Sequence, residues 1–168
     1  MVLLATVASA MTVCGGGSSQ QDSDGGAESV GTFTGFEIRL TLDKEEYSRG
    51  EPVEMTLSLT NTHDHIPVGI EFSDAQHYDF QVSCRPPADC PQVWRWSRDK
   101  AFIQFPGLEV VSPGRLLSYV AVWDQRDAQG RQVPPGTYEA RGFITGCLER
   151  DPGTCDFGPG PVVFDLLP

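Results

Sequence analysis

From Phe36 onward, apolar and polar residues of this chain alternate with a period of two. Phe36, Ile38, Leu40 and Leu42 alternate with Glu37, Arg39, Thr41 and Asp43, which predicts a half-buried β-strand. Val53, Met55, Leu57 and Leu59 alternate with Glu54, Thr56, Ser58 and Thr60 and predict a second. Further strands are expected at Val68–Phe72, at Tyr78, Phe80 and Val82, and at Trp94 and Trp96, with Arg95 on the opposite face. The last ones fall at Leu117–Trp123, Tyr138–Ile144 and Val162–Leu166. Between them lie Ser48-Arg49-Gly50-Glu51-Pro52, Asn61-Thr62-His63-Asp64, Ser112-Pro113-Gly114 and Pro134-Pro135-Gly136, which read as turns. No stretch sustains a helical period. Short strands separated by turns predict an all-β, immunoglobulin-like antiparallel β-sandwich of about seven to nine strands.

The front of the chain breaks this pattern. Val2 to Val13 is an apolar run of twelve residues, too short to span a bilayer, which takes about 20, and suited to the apolar region of an export signal. Cys14 closes the run and opens a Gly-, Ser- and Asp-rich stretch. Such a sequence cannot bury enough surface to order itself and reads as a flexible tether. The expected organisation is a signal-like segment over 1–13, a tether over 14–35 and one sandwich domain over 36–168. An apolar run, one cysteine and a polar tether together resemble the start of a bacterial lipoprotein. Cys14 would be the lipidated residue, and the domain would sit in the cell envelope facing outside the cytoplasmic membrane. Ala8-Ser9-Ala10 offers a competing cleavage site, which would make the chain simply secreted.

Cysteine count agrees with export. Of the five cysteines, four remain once Cys14 is set aside, as two close pairs: Cys84 with Cys90, and Cys147 with Cys155. An even set at short spacing in an exported chain reads as disulfides. Four cysteines allow three connectivities; the two local ones are expected, each worth about 2–2.5 kcal/mol. Both spacings are wider than the usual zinc knuckle, and both loops carry prolines.

Charge narrows the partners. A net charge of −11 argues against nucleic acid, whose binding rests on neutralising phosphates, and against electrostatic docking on anionic lipid. The acids are scattered, which fits solubility.

Candidate chemistry is sparse. His63-Asp64-His65 would place two imidazoles on one face of an extended segment, with His77 as a conceivable third ligand; the following Ile66-Pro67 favours a polar turn, so no metal site is expected. Trp94 and Trp96 fit either an aromatic platform or, as sandwiches favour, core. Asp79 is expected to pair with Arg95 across a hairpin at about 0–1 kcal/mol, the value of an exposed pair. No nucleophile–base arrangement and no phosphate-binding glycine loop is present. The chain is therefore expected to be non-catalytic and without cofactor.

One ordered set of residues stands out: Tyr47-Ser48-Arg49-Gly50-Glu51-Pro52-Val53, Leu57-Ser58-Leu59-Thr60-Asn61-Thr62, Tyr78-Asp79-Phe80, Val93-Trp94-Arg95-Trp96-Ser97, Ser112-Pro113-Gly114, Trp123-Asp124 and Pro135-Gly136-Thr137-Tyr138. In this set the chain resembles the BsuPI-type intracellular proteinase inhibitors, a family of immunoglobulin-like sandwiches. The resemblance implies a protein partner, in the first instance a protease. The family is named for inhibition of an intracellular serine protease, a target that an exported chain would not meet. An inhibitor presents an exposed loop to a protease cleft. The expected loop is Arg85, Pro86, Pro87, Ala88 and Asp89, closed by Cys84 and Cys90, since closure lowers the entropy lost on binding; the loop from Cys147 to Cys155 ranks second. The alternative is a structural or assembly module of the cell envelope without inhibitory activity.

Overall fold

The computed structural model describes residues 26–85 and 91–168. These residues form twelve strands: β1 (Glu28–Phe33), β2 (Phe36–Leu42), β3 (Glu46–Tyr47), β4 (Val53–Asn61), β5 (Val68–Phe72), β6 (Tyr78–Cys84), β7 (Gln92–Arg95), β8 (Gly107–Val111), β9 (Leu116–Trp123), β10 (Gly136–Leu148), β11 (Asp151–Phe157) and β12 (Val162–Leu166). They make an all-β sandwich of two sheets. One runs β1-β2-β4-β9 and is antiparallel throughout. The other is built around β10. The short β3 runs parallel to β12, a departure from the expected all-antiparallel pattern.

The alternation read along the chain is the alternation of burial. β2 buries Phe36, Ile38, Leu40 and Leu42, and β4 buries Val53, Met55, Leu57 and Leu59. Facing them across the sandwich are Phe80, Val82, Tyr138, Ala140, Ile144 and Phe164. β10 is the spine of the second sheet. Its first half pairs with β12 on one edge and with β6 on the other; its last residues pair with β11 and β5. Gly142 sits where the sheets come closest: a Cβ there would meet Leu40 at 3.1 Å and Leu57 and Phe80 at 3.3 Å.

Four strands were not legible in the periodicity. β1 lies inside the expected tether, so the paired chain begins at Glu28, not at Phe36. Its inward positions are Ser29, Gly31 and Phe33, too polar to signal a strand. It is held by full pairing with β2 and by a two-residue turn, Thr34-Gly35, with φ of 37° and 85°, the positive pair that suits a tight hairpin. The two-residue β3 is too short to carry a pattern. β8 was hidden because Leu108 and Val110 face outward. β11 contains Pro152 and Gly153, which argue against a strand; it forms as the return arm of a hairpin in which Cys147 faces Cys155. These two cysteines are disulfide-bonded with Cα atoms 4.0 Å apart, as expected. Cys84 is also disulfide-bonded; its expected partner Cys90 lies outside the described residues, as do Cys14 and the segment 1–25.

All four tyrosines are pressed into this packing. Burial pushes the phenols of Tyr47, Tyr78 and Tyr138 up, and that of Tyr119 up to about 12. The fold holds each phenol neutral. That stabilisation is fully present below pH ~10, the ordinary phenol value, and is lost as pH rises through the folded values. Tyrosinate absorbance is therefore expected to appear late, above pH ~10, and together with loss of near-ultraviolet circular dichroism. A gradual rise centred near pH ~10 with the fold intact would contradict this packing.

Candidate functional site

Asp79 lies at the base of the site. On β6 the side chains of Tyr78, Phe80 and Val82 point into the sandwich, so Asp79 points to the other face of the sheet. The chain after β7 folds over it, and Asp79 is 0% exposed. Its Oδ2 accepts hydrogen bonds from Arg95 Nε and Ser97 Oγ, each at 2.6 Å. Its Oδ1 accepts from the backbone N–H groups of Phe80 at 2.9 Å and Ser97 at 3.1 Å. Pairing with Arg95 is as expected, but its burial is not: the expected surface pair is the anchor of a turn. That turn occupies 96–99. Trp96 N–H donates to the Phe80 carbonyl at 2.9 Å, and Lys100 N–H to the Ser97 carbonyl at 3.1 Å.

Trp96 lies in this turn and not on a strand with Trp94. Both indoles are half-buried against the core. Trp94 approaches Trp123 at 6.5 Å between centroids. Trp96 belongs to an aromatic column that leaves the core: Tyr119 to Tyr78 at 4.4 Å, Tyr78 to Trp96 at 4.4 Å, and Trp96 to Phe102 at 6.0 Å. The Lys100 ammonium sits 4.4 Å from the Trp96 ring, a cation–π contact. The tryptophans thus support structure and leave no open aromatic platform.

On this foundation stands the loop 100–106, which joins the turn to β8. Its backbone is tied down. Ala75 N–H donates to the Ile103 carbonyl at 3.0 Å, and Phe105 N–H donates to the same oxygen at 2.9 Å, closing a three-residue turn at Gln104. Gln104 Nε2 reaches Asp74 Oδ2 and the Phe102 carbonyl, each at 3.4 Å. Its side chains are another matter. Ile103 is 76% exposed and Phe105 73%, the most exposed large apolar residues among those described. Pro106 follows, with its fixed φ, and Leu108 and Val110 continue the exposed apolar surface on β8. A backbone held by the scaffold and two apolar side chains held in water is an arrangement for contact with another protein.

Sequence reasoning missed Ile103 and Phe105. Their signal was an apolar run, Ala101-Phe102-Ile103, with no alternating partner and a proline close behind. The candidate loop chosen from the sequence falls outside the described residues from Pro86 to Cys90; Arg85, at its start, is exposed and its N–H donates to the Thr137 carbonyl at 2.9 Å.

The remaining candidates are structural. His63 packs over Gly35, its N–H bonded to the Asn61 side chain at 3.0 Å, while His77 stacks on Phe72 at 4.0 Å and faces Glu109 at 3.5 Å. Among the described residues, no three His, Cys, Asp or Glu side chains are grouped to hold a metal. A cleft of about 230 Å³ lies beside Trp94, lined by Arg95, Arg98, Asp124, Arg126 and Asp127 among others. Its charges are largely spent internally: Arg126 faces Asp124 at 3.5 Å and Arg131 pairs with Asp127 at 2.8 Å. Backbone N–H donation from Arg131 leads the effects that hold the Asp127 carboxyl below its usual range.

The family model described as BsuPI, intracellular proteinase inhibitor, matches residues 40–147. That range runs from β2 through most of β10 and includes the whole loop and its foundation. No curated protein sequence matches the chain. Among solved structures, the sporulation control protein Spo0M of Bacillus subtilis is 14% identical, with a TM-score of 0.45 over 84% of this chain and 50% of that one. A β-glucosidase of Listeria innocua in complex with laminaribiose is 11% identical, with a TM-score of 0.45 over 79% of this chain and 16% of that one. The alkylpurine DNA glycosylase AlkC of Pseudomonas fluorescens is 12% identical, with a TM-score of 0.40 over 76% of this chain and 29% of that one. The chain thus spans half or less of each of these proteins, and likenesses at this level carry no argument about its role.

Proposed function

Since this chain belongs to the BsuPI intracellular proteinase inhibitor family, we propose that it is a non-catalytic binding domain that inhibits a proteinase. The observation that carries this reading is the family match over 40–147, which takes in strands of both sheets and the anchored loop with its two exposed apolar side chains. A rigid loop loses little entropy on entering a cleft, so its contacts appear as affinity.

The place of action belongs to the same proposal. The apolar run ending at Cys14 and the polar stretch after it support export and a lipid anchor on Cys14. The disulfide between Cys147 and Cys155 agrees with an oxidising compartment. The target is then a proteinase outside the cytoplasm, met close to a membrane surface.

The full chain should be titrated against serine, cysteine and metallo-proteinases, following hydrolysis of a small substrate. Stoichiometric loss of activity for at least one of them is the expected result. If none is slowed, and crosslinking from intact cells returns a stable envelope partner, the chain is an assembly module and the inhibitor reading is wrong. Intact mass from the native membrane fraction tests the location: a chain starting at Cys14 with added acyl mass is expected, and an unmodified chain starting at Met1 would overturn it.

A further inference from the structure

We infer that the loop 100–106 is the segment that enters the proteinase, with Phe105 in the primary specificity pocket, and that the target is a serine or cysteine proteinase whose pocket accepts a large apolar side chain. This rests on the inhibitor reading and adds to it a contact residue and a partner chemistry.

Three observations assign Phe105 the leading part. The first is exposure. An apolar ring 73% open to water gains by burial in a pocket. The second is backbone chemistry. The Ile103 carbonyl is already occupied, accepting from both Ala75 and Phe105. The Phe105 carbonyl accepts no hydrogen bond among the described residues. Proteinases that proceed through an oxyanion aim backbone donors at the carbonyl of the residue in the primary pocket, so that carbonyl must be free in a bound loop. Phe105 meets this condition and Ile103 does not. The third is preorganisation. The loop is fixed at its base by Asp79, along one side by the tilted Trp96–Phe102 contact, and at its tip by the Ala75 and Gln104 bonds. Ile103, two residues before Phe105, is then placed for a neighbouring apolar subsite.

The charge of the loop agrees with this partner. Apart from Lys100, whose ammonium is held over the Trp96 ring at the base of the loop, the loop carries no ionisable side chain, so neither a basic-specific nor an acidic-specific pocket has a counterion to receive at its tip.

The test uses the full chain and its Phe105→Ala, Ile103→Ala and Phe105→Lys variants, with Val120→Thr on the outer face of β9 as a control. Inhibition constants are measured against chymotrypsin-, subtilisin- and trypsin-type proteinases and a papain-type cysteine proteinase. Because both loop side chains are largely exposed, thermal midpoints should match the parent and report that every variant is folded. Expected are inhibition of an apolar-specific proteinase by the parent, a loss of roughly 30-fold or more for Phe105→Ala, as for a binding hot spot, a smaller loss for Ile103→Ala, and none for Val120→Thr. Phe105→Lys should lose the apolar-specific target and gain inhibition of the trypsin type. If the parent inhibits an enzyme of the panel and Phe105→Ala inhibits it equally, this assignment is overturned while the inhibitor reading stands. If the parent inhibits only the trypsin type, the pocket chemistry is wrong. If the parent inhibits none of the four, the assignment falls, and the inhibitor reading then rests on the wider titration above.

Discussion

Replacing Asp79 with alanine is expected to destabilise the protein by about 3–5 kcal/mol, the cost of leaving two enclosed backbone N–H groups without their acceptor at about 1–3 kcal/mol each, with the loss of the Arg95 pair added. The value follows from where the carboxylate sits. It is fully enclosed and takes four hydrogen bonds, two from charged or hydroxyl side chains and two from backbone N–H groups. In the variant, the amides of Phe80 and Ser97 lose their acceptor in a site too enclosed for full solvation, and the Arg95 guanidinium loses its counterion. Arg95 is 41% exposed and turns to water once Asp79 is gone, so the cost of Asp79→Ala comes mainly from the two amides; Arg95→Ala instead leaves the enclosed carboxylate without its counterion and should also be clearly destabilising. The midpoint of urea unfolding, taken with the slope, measures the effect. A loss within about 1 kcal/mol would be the value of an exposed pair and would mean that the carboxylate does not anchor the turn. In the Asp79→Ala variant, inhibition per folded molecule, with the folded fraction taken from the unfolding curve, should weaken, because the base of the loop 100–106 is released.

Trp123→Ala should be comparably severe, at about 3–5 kcal/mol. Trp123 is 0% exposed and is the largest fully buried side chain. It stands on β9 in the first sheet, and its ring reaches Tyr138 at 5.8 Å and Phe164 at 6.3 Å in the second. Truncation leaves a cavity between two sheets that can close only by moving whole strands. The indole N–H also donates to the Arg126 carbonyl at 2.8 Å, so the variant frees a carbonyl at the start of the segment 124–132. Trp123→Phe separates the two contributions. It keeps most of the apolar contact and loses the hydrogen bond, and about 1–2 kcal/mol is expected from that loss together with the smaller ring. Thermal or urea unfolding decides between them. Equal costs for the two variants would place the energy in the hydrogen bond and not in packing between the sheets.

Half-buried strands announce themselves because one face must be apolar and the other must not. β2, β4, β5, β6, β9, β10 and β12 were legible for this reason, within a residue or two of their bounds except at β10. β10 extends four residues past Ile144 because β5 and β11 continue its ladder there, a matter of pairing and not of its own side chains. β1, β3, β8 and β11 depend on partners in the same way. Their residues would not make strands alone, and a pattern confined to one strand cannot report its neighbour.

The site divides along the same line. Sequence alone determined the sandwich and the family resemblance, and it pointed to the local pairing of Cys147 with Cys155, one of three possible connectivities, and to the alliance of Asp79 with Arg95. Each of these rests on local spacing or on adjacent strands. Only the tertiary structure decided that Asp79 is buried, that Trp96 belongs to a column supporting a loop, and that Ile103 and Phe105 face water. An apolar residue in a loop reads in sequence as core. Whether it is covered depends on what the rest of the chain packs against it, and among the described residues little packs against these two.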